Sequence, residues 1–192
     1  PEIGRFIAPG RTADVYAWGS DRVVKLYHDW FGLEDIQFEQ KLARAVQSSG
    51  LPVPAVGEII QVNGQNGLLY QRVEGRAMWE VLSRQPWRLF SFARHTAEFQ
   101  VQLHTTTAPA GLPDQRGRIK RKIEHARALP EELRHRVLAA LDTLPDGNRI
   151  CHGDFHPGNI LVTDQGEVII DWIDASRGNP LSDLARSSIL AL

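Results

Sequence analysis

With 192 residues and 42% apolar content, the chain can bury a substantial core as one large domain or two small lobes. Its 22 Lys and Arg nearly balance 23 Asp and Glu, so no whole-protein field draws it to nucleic acid or to an anionic membrane. The single cysteine, Cys151, excludes an internal disulfide framework and a cysteine-rich zinc module, and it fits a reducing compartment, with cytoplasm as the default expectation. No apolar run approaches the roughly 18 residues of a membrane span, and no basic-then-apolar signal segment opens the chain.

The first 75 residues read as strand-rich. Short β-branched and aromatic runs (RFIA, DVYAW, RVVKLY, GEIIQV, GLLYQRV) alternate with turn residues at Gly10, Gly19-Ser20 and Asn63-Gly64. One helix interrupts them, from about Leu33 to Gln47, with Ile36, Glu39, Gln40, Ala43 and Val46 at three- and four-residue spacing and Gly50 as its stop. The LPVP that follows cannot be helix. The economical reading is a five-stranded sheet with one helix inserted after the third strand.

After Gly75 the pattern turns helical. From Pro86 to His104 a stripe of Leu89, Phe92, Thr96, Phe99 and Leu103 predicts the spine of a second lobe, with Pro86 at the helix start. Basic residues crowd from Arg116 to Arg127, as a solvated helix face or a phosphate-contacting one. Pro130 opens a further helix through Leu144. Short strands then return at ICHG, NILV and EVIID, with a turn at Asp164-Gln165-Gly166. A last helix starts at Pro180, and its Leu181, Leu184, Ile189 and Leu190 are expected to need partners beyond the chain end. The lack of an initial Met likewise suggests a piece of a longer polypeptide.

The densest chemistry is CHGDFHPGNILV followed by VIIDWIDAS. Asp154 and Asn159 lie five apart on a Gly- and Pro-containing loop, and Asp171 ends an apolar strand. Phosphoryl transfer needs positioning and charge screening more than covalent help. A carboxylate can orient an acceptor hydroxyl and take its proton, while an Asn carbonyl and a second carboxylate are hard oxygen ligands for Mg²⁺. The rival enzyme class is a metal-dependent hydrolase built on His152, Asp154 and His156, with Asp171 and Asp174 nearby. It leaves the rest of the chain unexplained. Cys151 reads as core.

HGDFHPGN resembles the catalytic loop of the aminoglycoside phosphotransferase and choline kinase superfamily, small-molecule kinases that share the protein-kinase fold. HGD stands where protein kinases have HRD, and DWI where they have DFG. The resemblance extends to EQKLARAVQSSGLPVP, to LYQRVEG as a hinge-like segment, to Leu103-His104 and to GNPLSDLA. It implies an α+β, bilobal, protein-kinase-like fold: residues 1–75 as a nucleotide-binding lobe, and 76–192 as a mainly helical catalytic lobe with catalytic hairpins, truncated at its C-terminal helices.

By the same resemblance Asp154 is the catalytic base or acceptor-orienting residue, and Asn159 and Asp171 ligate Mg²⁺ that arrives with ATP or GTP. Lys25 contacts the nucleotide phosphates and Glu39 holds it, with Glu34 and Asp35 as rival partners nearer the helix start, where the dipole favours acids. The glycine-rich loop is reduced to Gly10, Arg11 and Thr12, whose backbone amides can face a phosphate. His152 and His156 brace the loop, and Asp174 assists the metal or fixes the turn. Asp183 steadies the catalytic loop or caps the last helix. Trp172, Asp174 and Arg177 are candidates for the acceptor pocket. The partners implied are a nucleoside triphosphate and a small-molecule hydroxyl acceptor such as an aminoglycoside, amino alcohol or sugar, with no nucleic acid or membrane. A non-catalytic nucleotide-binding scaffold on this fold is the third reading.

Overall fold

The computed structural model describes residues 2–190. Pro1, Ala191 and Leu192, the outermost residues of the two expected lobes, lie outside the described residues. Five strands, β1 (Ile3–Ala8), β2 (Ala13–Trp18), β3 (Arg22–Tyr27), β4 (Val56–Val62) and β5 (Gln65–Gln71), form one antiparallel sheet in the order β1-β2-β3-β5-β4. Helix α1 (Leu33–Gln47) is inserted between β3 and β4, as the periodicity predicts.

Glu34 and Asp35 occupy the first turn of α1 and Arg44 the last, complementing its dipole. Its buried stripe is Ile36, Glu39, Leu42, Ala43 and Val46. A carboxylate in that stripe must find a partner, because an unpaired buried charge is costly.

The second lobe opens with β6 (Arg76–Ala77) and α2 (Met78–Arg84), then a 3₁₀ turn at Pro86–Arg88 and α3 (Leu89–Thr105). The sequence pattern turns helical after Gly75 and places a helix start at Pro86, without bounds for a separate helix before it. In the structure the backbone around Gln85 leaves helical geometry and Pro86 starts the 3₁₀ turn. Within the expected α3 stripe Phe92 and Leu103 are buried, whereas Leu89 is exposed because the turn before it lifts the first residue off the core.

Helices α4 (Gln115–Glu124) and α5 (Glu131–Thr143) follow; Asp114 caps α4 by accepting from the Gly117 amide, 2.7 Å away. Strands β7 (Arg149–Cys151), β8 (Ile160–Thr163), β9 (Gly166–Ile169) and β10 (Ser176–Gly178) then make two small antiparallel sheets, β10-β7 and β6-β8-β9. Neither β6 nor β10 was legible in the sequence, since strands of two and three residues carry no periodicity. Helix α6 (Pro180–Leu190) closes the described chain, with Leu181, Leu184, Ile189 and Leu190 exposed.

The main core joins Leu42, Val46 and Leu51 around α1 to Met78, Phe92, Leu103, Phe155, Ile160 and Ile169 of the second lobe. Helix α1 therefore carries Glu39 on a surface anchored to both parts of the molecule. Among the described residues no helix is long and apolar enough to cross a membrane.

Candidate active site

Alternation along β3 puts Val23, Lys25 and Tyr27 on one face of the sheet. Lys25 Nζ lies 2.6 Å from Glu39 Oε1 and 3.6 Å from Asp171 Oδ1. Of the three acids that the sequence offered it on α1, Lys25 takes the one in the buried stripe; Glu34 and Asp35 stay exposed in the first turn. Burial lowers the Lys25 pKa, but the charges and hydrogen bonds of Glu39 and Asp171 outweigh it and raise the pKa above the ordinary range. The ammonium is therefore charged, between a helix carboxylate and a carboxylate of the second lobe.

Asp171 follows β9 with a left-handed backbone, φ 63°. That conformation is uncommon for a residue with a side chain, and the surrounding structure has to hold it. The amide of the preceding Ile170 donates to the Asn159 carbonyl at 2.9 Å, which ties the Asp171 turn to the HGDFHPGN loop. Asn159 turns its amide nitrogen to the Asp154 carbonyl at 2.9 Å. Its Oδ1 accepts no hydrogen bond among the described residues. Asn159 Oδ1 and the Asp171 carboxylate are thus hard oxygen donors linked by one backbone hydrogen bond, a donor set that fits Mg²⁺.

The loop is braced from beneath. Buried Asp183 accepts from the amides of His152 at 3.0 Å and Gly153 at 2.7 Å, and from His104 Nε2 at 3.1 Å. Of its two expected roles, this is the steadying of the loop. Burial raises the Asp183 pKa, but the His104 hydrogen bond and the two amides outweigh it and hold the carboxyl below its ordinary range.

His152 Nδ1 accepts from the Asp154 amide at 3.2 Å, so its proton sits on Nε2 and is donated to the Ile170 carbonyl at 3.0 Å. Burial lowers its pKa. Gly153 has φ 80°, and a Cβ there would come within 2.7 Å of the Asp174 carbonyl. Only glycine fits this step before Asp154. His156 Nδ1 accepts from the Gly158 amide at 3.0 Å, and its Nε2 lies 3.6 Å from Asp154 Oδ2.

These positions do not assemble the hydrolase alternative. Both ring nitrogens of His152 are spent on the backbone, and among the described residues no group of three or more His, Cys, Asp or Glu side chains is placed to hold a metal ion. Cys151 is core, and burial pushes its thiol up to about 12.

In the β1–β2 loop, a Cβ on Gly10 would meet the Ala13 carbonyl at 2.5 Å. His28 closes the loop from behind, its Nε2 3.3 Å from the Gly10 carbonyl and its amide donating to the Thr12 carbonyl at 3.0 Å. The carbonyls of Gly10 and Thr12 are turned to His28, and Arg11 is exposed.

Of the acceptor-pocket expectations, that for Trp172 needs correction. Trp172 is buried, donates Nε1–H to the Ile169 carbonyl at 3.1 Å, and packs on the His152 ring with centroids 4.5 Å apart. It is a core residue of the loop platform. Arg177 belongs to β10, where its amide donates to the Pro113 carbonyl.

Asp174 pairs with Arg118 at 2.8 Å and Lys122 at 2.9 Å, and burial, which raises its pKa, is outweighed by those cations and by Arg11. The basic run is thus divided: Arg116, Arg118 and Lys122 are paired, while Lys120, Arg121 and Arg127 are exposed. Arg118 and Lys122 tie α4 to the segment after Asp171, and Arg116 binds Asp146 and the Leu141 and Leu144 carbonyls. One residue at the site was missed: Arg186 of α6 reaches Asp154 Oδ1 at 3.2 Å. No local pattern signals a contact across 32 residues of sequence.

Comparison with known proteins agrees with this geometry. The family described as "Phosphotransferase enzyme family" matches residues 3–190. Similar solved structures include the streptomycin–ATP ternary complex of APH(2")-IIa (TM-score 0.62, 18% identity, covering 95% of this chain and 69% of that one). An aminoglycoside-3'-phosphotransferase of type VIII gives TM-score 0.68 at 22% identity, covering 98% and 78%. APH(3'')-Id from Streptomyces rimosus ATCC10970, in complex with ADP and streptomycin, gives 0.61 at 19%, covering 93% and 74%. No curated protein matches. With a catalytic-type loop, a Lys–Glu pair and a sheet-plus-helical-lobe architecture all present, the chain belongs to the phosphotransferase enzyme family and shares the fold of aminoglycoside phosphotransferases.

Proposed function

We propose that the chain moves the γ-phosphoryl group of ATP or GTP to a hydroxyl of a small molecule such as an aminoglycoside, amino alcohol or sugar. The observation that carries this reading is the position of Lys25, between Glu39 of α1 and Asp171 of the second lobe. A cation held there lies where β3, α1 and the catalytic-type hairpin converge, a place suited to phosphate oxygens.

In this reading residues 1–75 form the nucleotide-holding lobe and 76–192 the catalytic lobe. Lys25 binds phosphate oxygens while Glu39 keeps the ammonium aimed. The amides of Gly10, Arg11 and Thr12 line the phosphate entry, and Arg11 adds charge. Asn159 and Asp171 are the residues that would hold Mg²⁺, which when bound screens charge on the phosphates. Asp154 orients the acceptor hydroxyl and takes its proton; Asn159 fixes the loop through the Asp154 carbonyl, and Arg186 restrains one carboxylate oxygen.

Similar solved structures hold ATP, ADP, GDP, kanamycin or streptomycin. They support a nucleotide donor and make aminoglycosides the first acceptors to try. The test is coupled ADP and GDP release with Mg²⁺ across a panel of aminoglycosides, amino alcohols and sugars. Acceptor-dependent release lost in Asp154→Asn supports the reading. Tight nucleotide binding without transfer to any hydroxyl would favour the scaffold alternative, and stoichiometric zinc in the purified protein the hydrolase.

A further inference from the structure

Glu39 is 2% exposed, so its carboxylate has no water to turn to. Its Oε1 accepts from Lys25 Nζ at 2.6 Å and from the Tyr70 hydroxyl at 3.1 Å. Its Oε2 is buried with no hydrogen-bond partner, and so is the Tyr27 hydroxyl. A buried acceptor and a buried donor left open in one cluster are complementary.

The sheet places them together. Tyr27 lies two residues beyond Lys25 on the same face of β3, and Tyr70 of β5 pairs in register with Val23 on that face. Glu39 raises the pKa of both phenols after burial does, and Tyr27 also raises that of Tyr70, so all three groups lie within one another's field.

Resting on the phosphoryl-transfer reading, we propose that Tyr27 and Tyr70 are positioning residues: Tyr70 already donates to Glu39 Oε1, and the open Tyr27 hydroxyl is available to the open Oε2 when Lys25 turns to nucleotide phosphates. Were Lys25 the only partner of Glu39, each move of the ammonium towards a phosphate would strip a buried carboxylate, which is strongly unfavourable. The Tyr70 hydroxyl, joined by that of Tyr27 as the ammonium moves, lowers that penalty without cancelling it. Both hydroxyls are neutral, so they do not compete with nucleotide for Lys25. Tyrosine also holds its hydroxyl on a rigid ring, and Tyr27 is locked by stacking on Phe31, with centroids 5.1 Å apart.

The test is a double-mutant cycle on Mg·ATP and Mg·GTP affinity. Tyr27→Phe/Tyr70→Phe is expected to weaken binding of the preferred nucleotide by about 10-fold with Glu39 present, and by less than about 2-fold in a Glu39→Gln background. Equal weakening in both backgrounds, or none, overturns the proposal.

A second cycle needs no nucleotide. The urea midpoint of the free protein should fall in the two-tyrosine variant at least about twice as far with Glu39 as with Gln at 39. An equal fall overturns the proposal. If the native protein binds neither nucleotide, the phosphoryl-transfer reading fails, while the urea cycle still decides whether the phenols solvate Glu39.

Discussion

Arg186 of α6 holds Asp154 across the loop, with its Nη2 3.2 Å from Asp154 Oδ1. Arg186 is half exposed and Asp154 about a third, so the pair is worth at most ~1 kcal/mol of stability. Its consequence is orientational: one oxygen is restrained and the other is left towards His156.

Asp154→Asn should therefore lower kcat by at least about 10²-fold while nucleotide Kd stays nearly unchanged. Arg186→Ala should change the melting temperature little and lower kcat more modestly. In the Asp154→Asn background the Arg186 substitution should have almost no further effect. Near-normal turnover in Asp154→Asn would remove that residue from the chemistry.

Removing one member of the Lys25–Glu39 pair should cost far more than removing both charges. Lys25→Met leaves Glu39 buried without its cation, and about 3 kcal/mol of destabilisation is expected. Lys25→Met/Glu39→Gln should recover most of that loss, because a neutral amide tolerates burial beside the tyrosine hydroxyls. Both variants should bind Mg·nucleotide poorly. Denaturant unfolding and titration calorimetry separate the two effects.

Asp183 accepts three hydrogen bonds beneath the HGDFHPGN loop. Asp183→Ala leaves two amides and a ring nitrogen without their acceptor, and should destabilise the protein by ~3–5 kcal/mol. What fold remains should lose kcat more than nucleotide affinity, since Asp183 supports the Asp154 loop and not the Lys25 face. Unfolding curves and initial rates below the lowered melting temperature check this.

The pH response of the loop has a definite sign. His152 is buried neutral and its folded pKa is lowered, so the unfolded chain binds the proton more readily. Its contribution is fully present above the unfolded value of about 6.5 and is lost as the pH falls below it, towards the lowered folded value. Protonation would also convert Nδ1 from acceptor to donor and break the bond from the Asp154 amide. Stability measured by urea should fall between about pH 7 and 5. His152→Gln should start lower and flatten that part of the profile. A profile as steep in the variant as in the native protein would place the titration elsewhere.

Local pattern was enough for the five strands, for α1 with its bounds, and for the spacing of Asp154, Asn159 and Asp171, because each depends on neighbours within a few residues. Spacing put Glu39 in the helical stripe, while its pairing with Lys25 was an implication of the family resemblance. Only the tertiary structure decided which acid Lys25 takes, that Asp171 adopts φ 63°, that Trp172 faces the core, and that Arg118 and Lys122 are spent on Asp174. It also decided the contact between Arg186 and Asp154 and that between Tyr70 and Glu39. Strand alternation and helical periodicity tell which face a side chain occupies, but not what the fold brings against that face. A contact across 14, 31 or 32 residues depends on how the sheet, α1 and α6 pack, which no local spacing encodes.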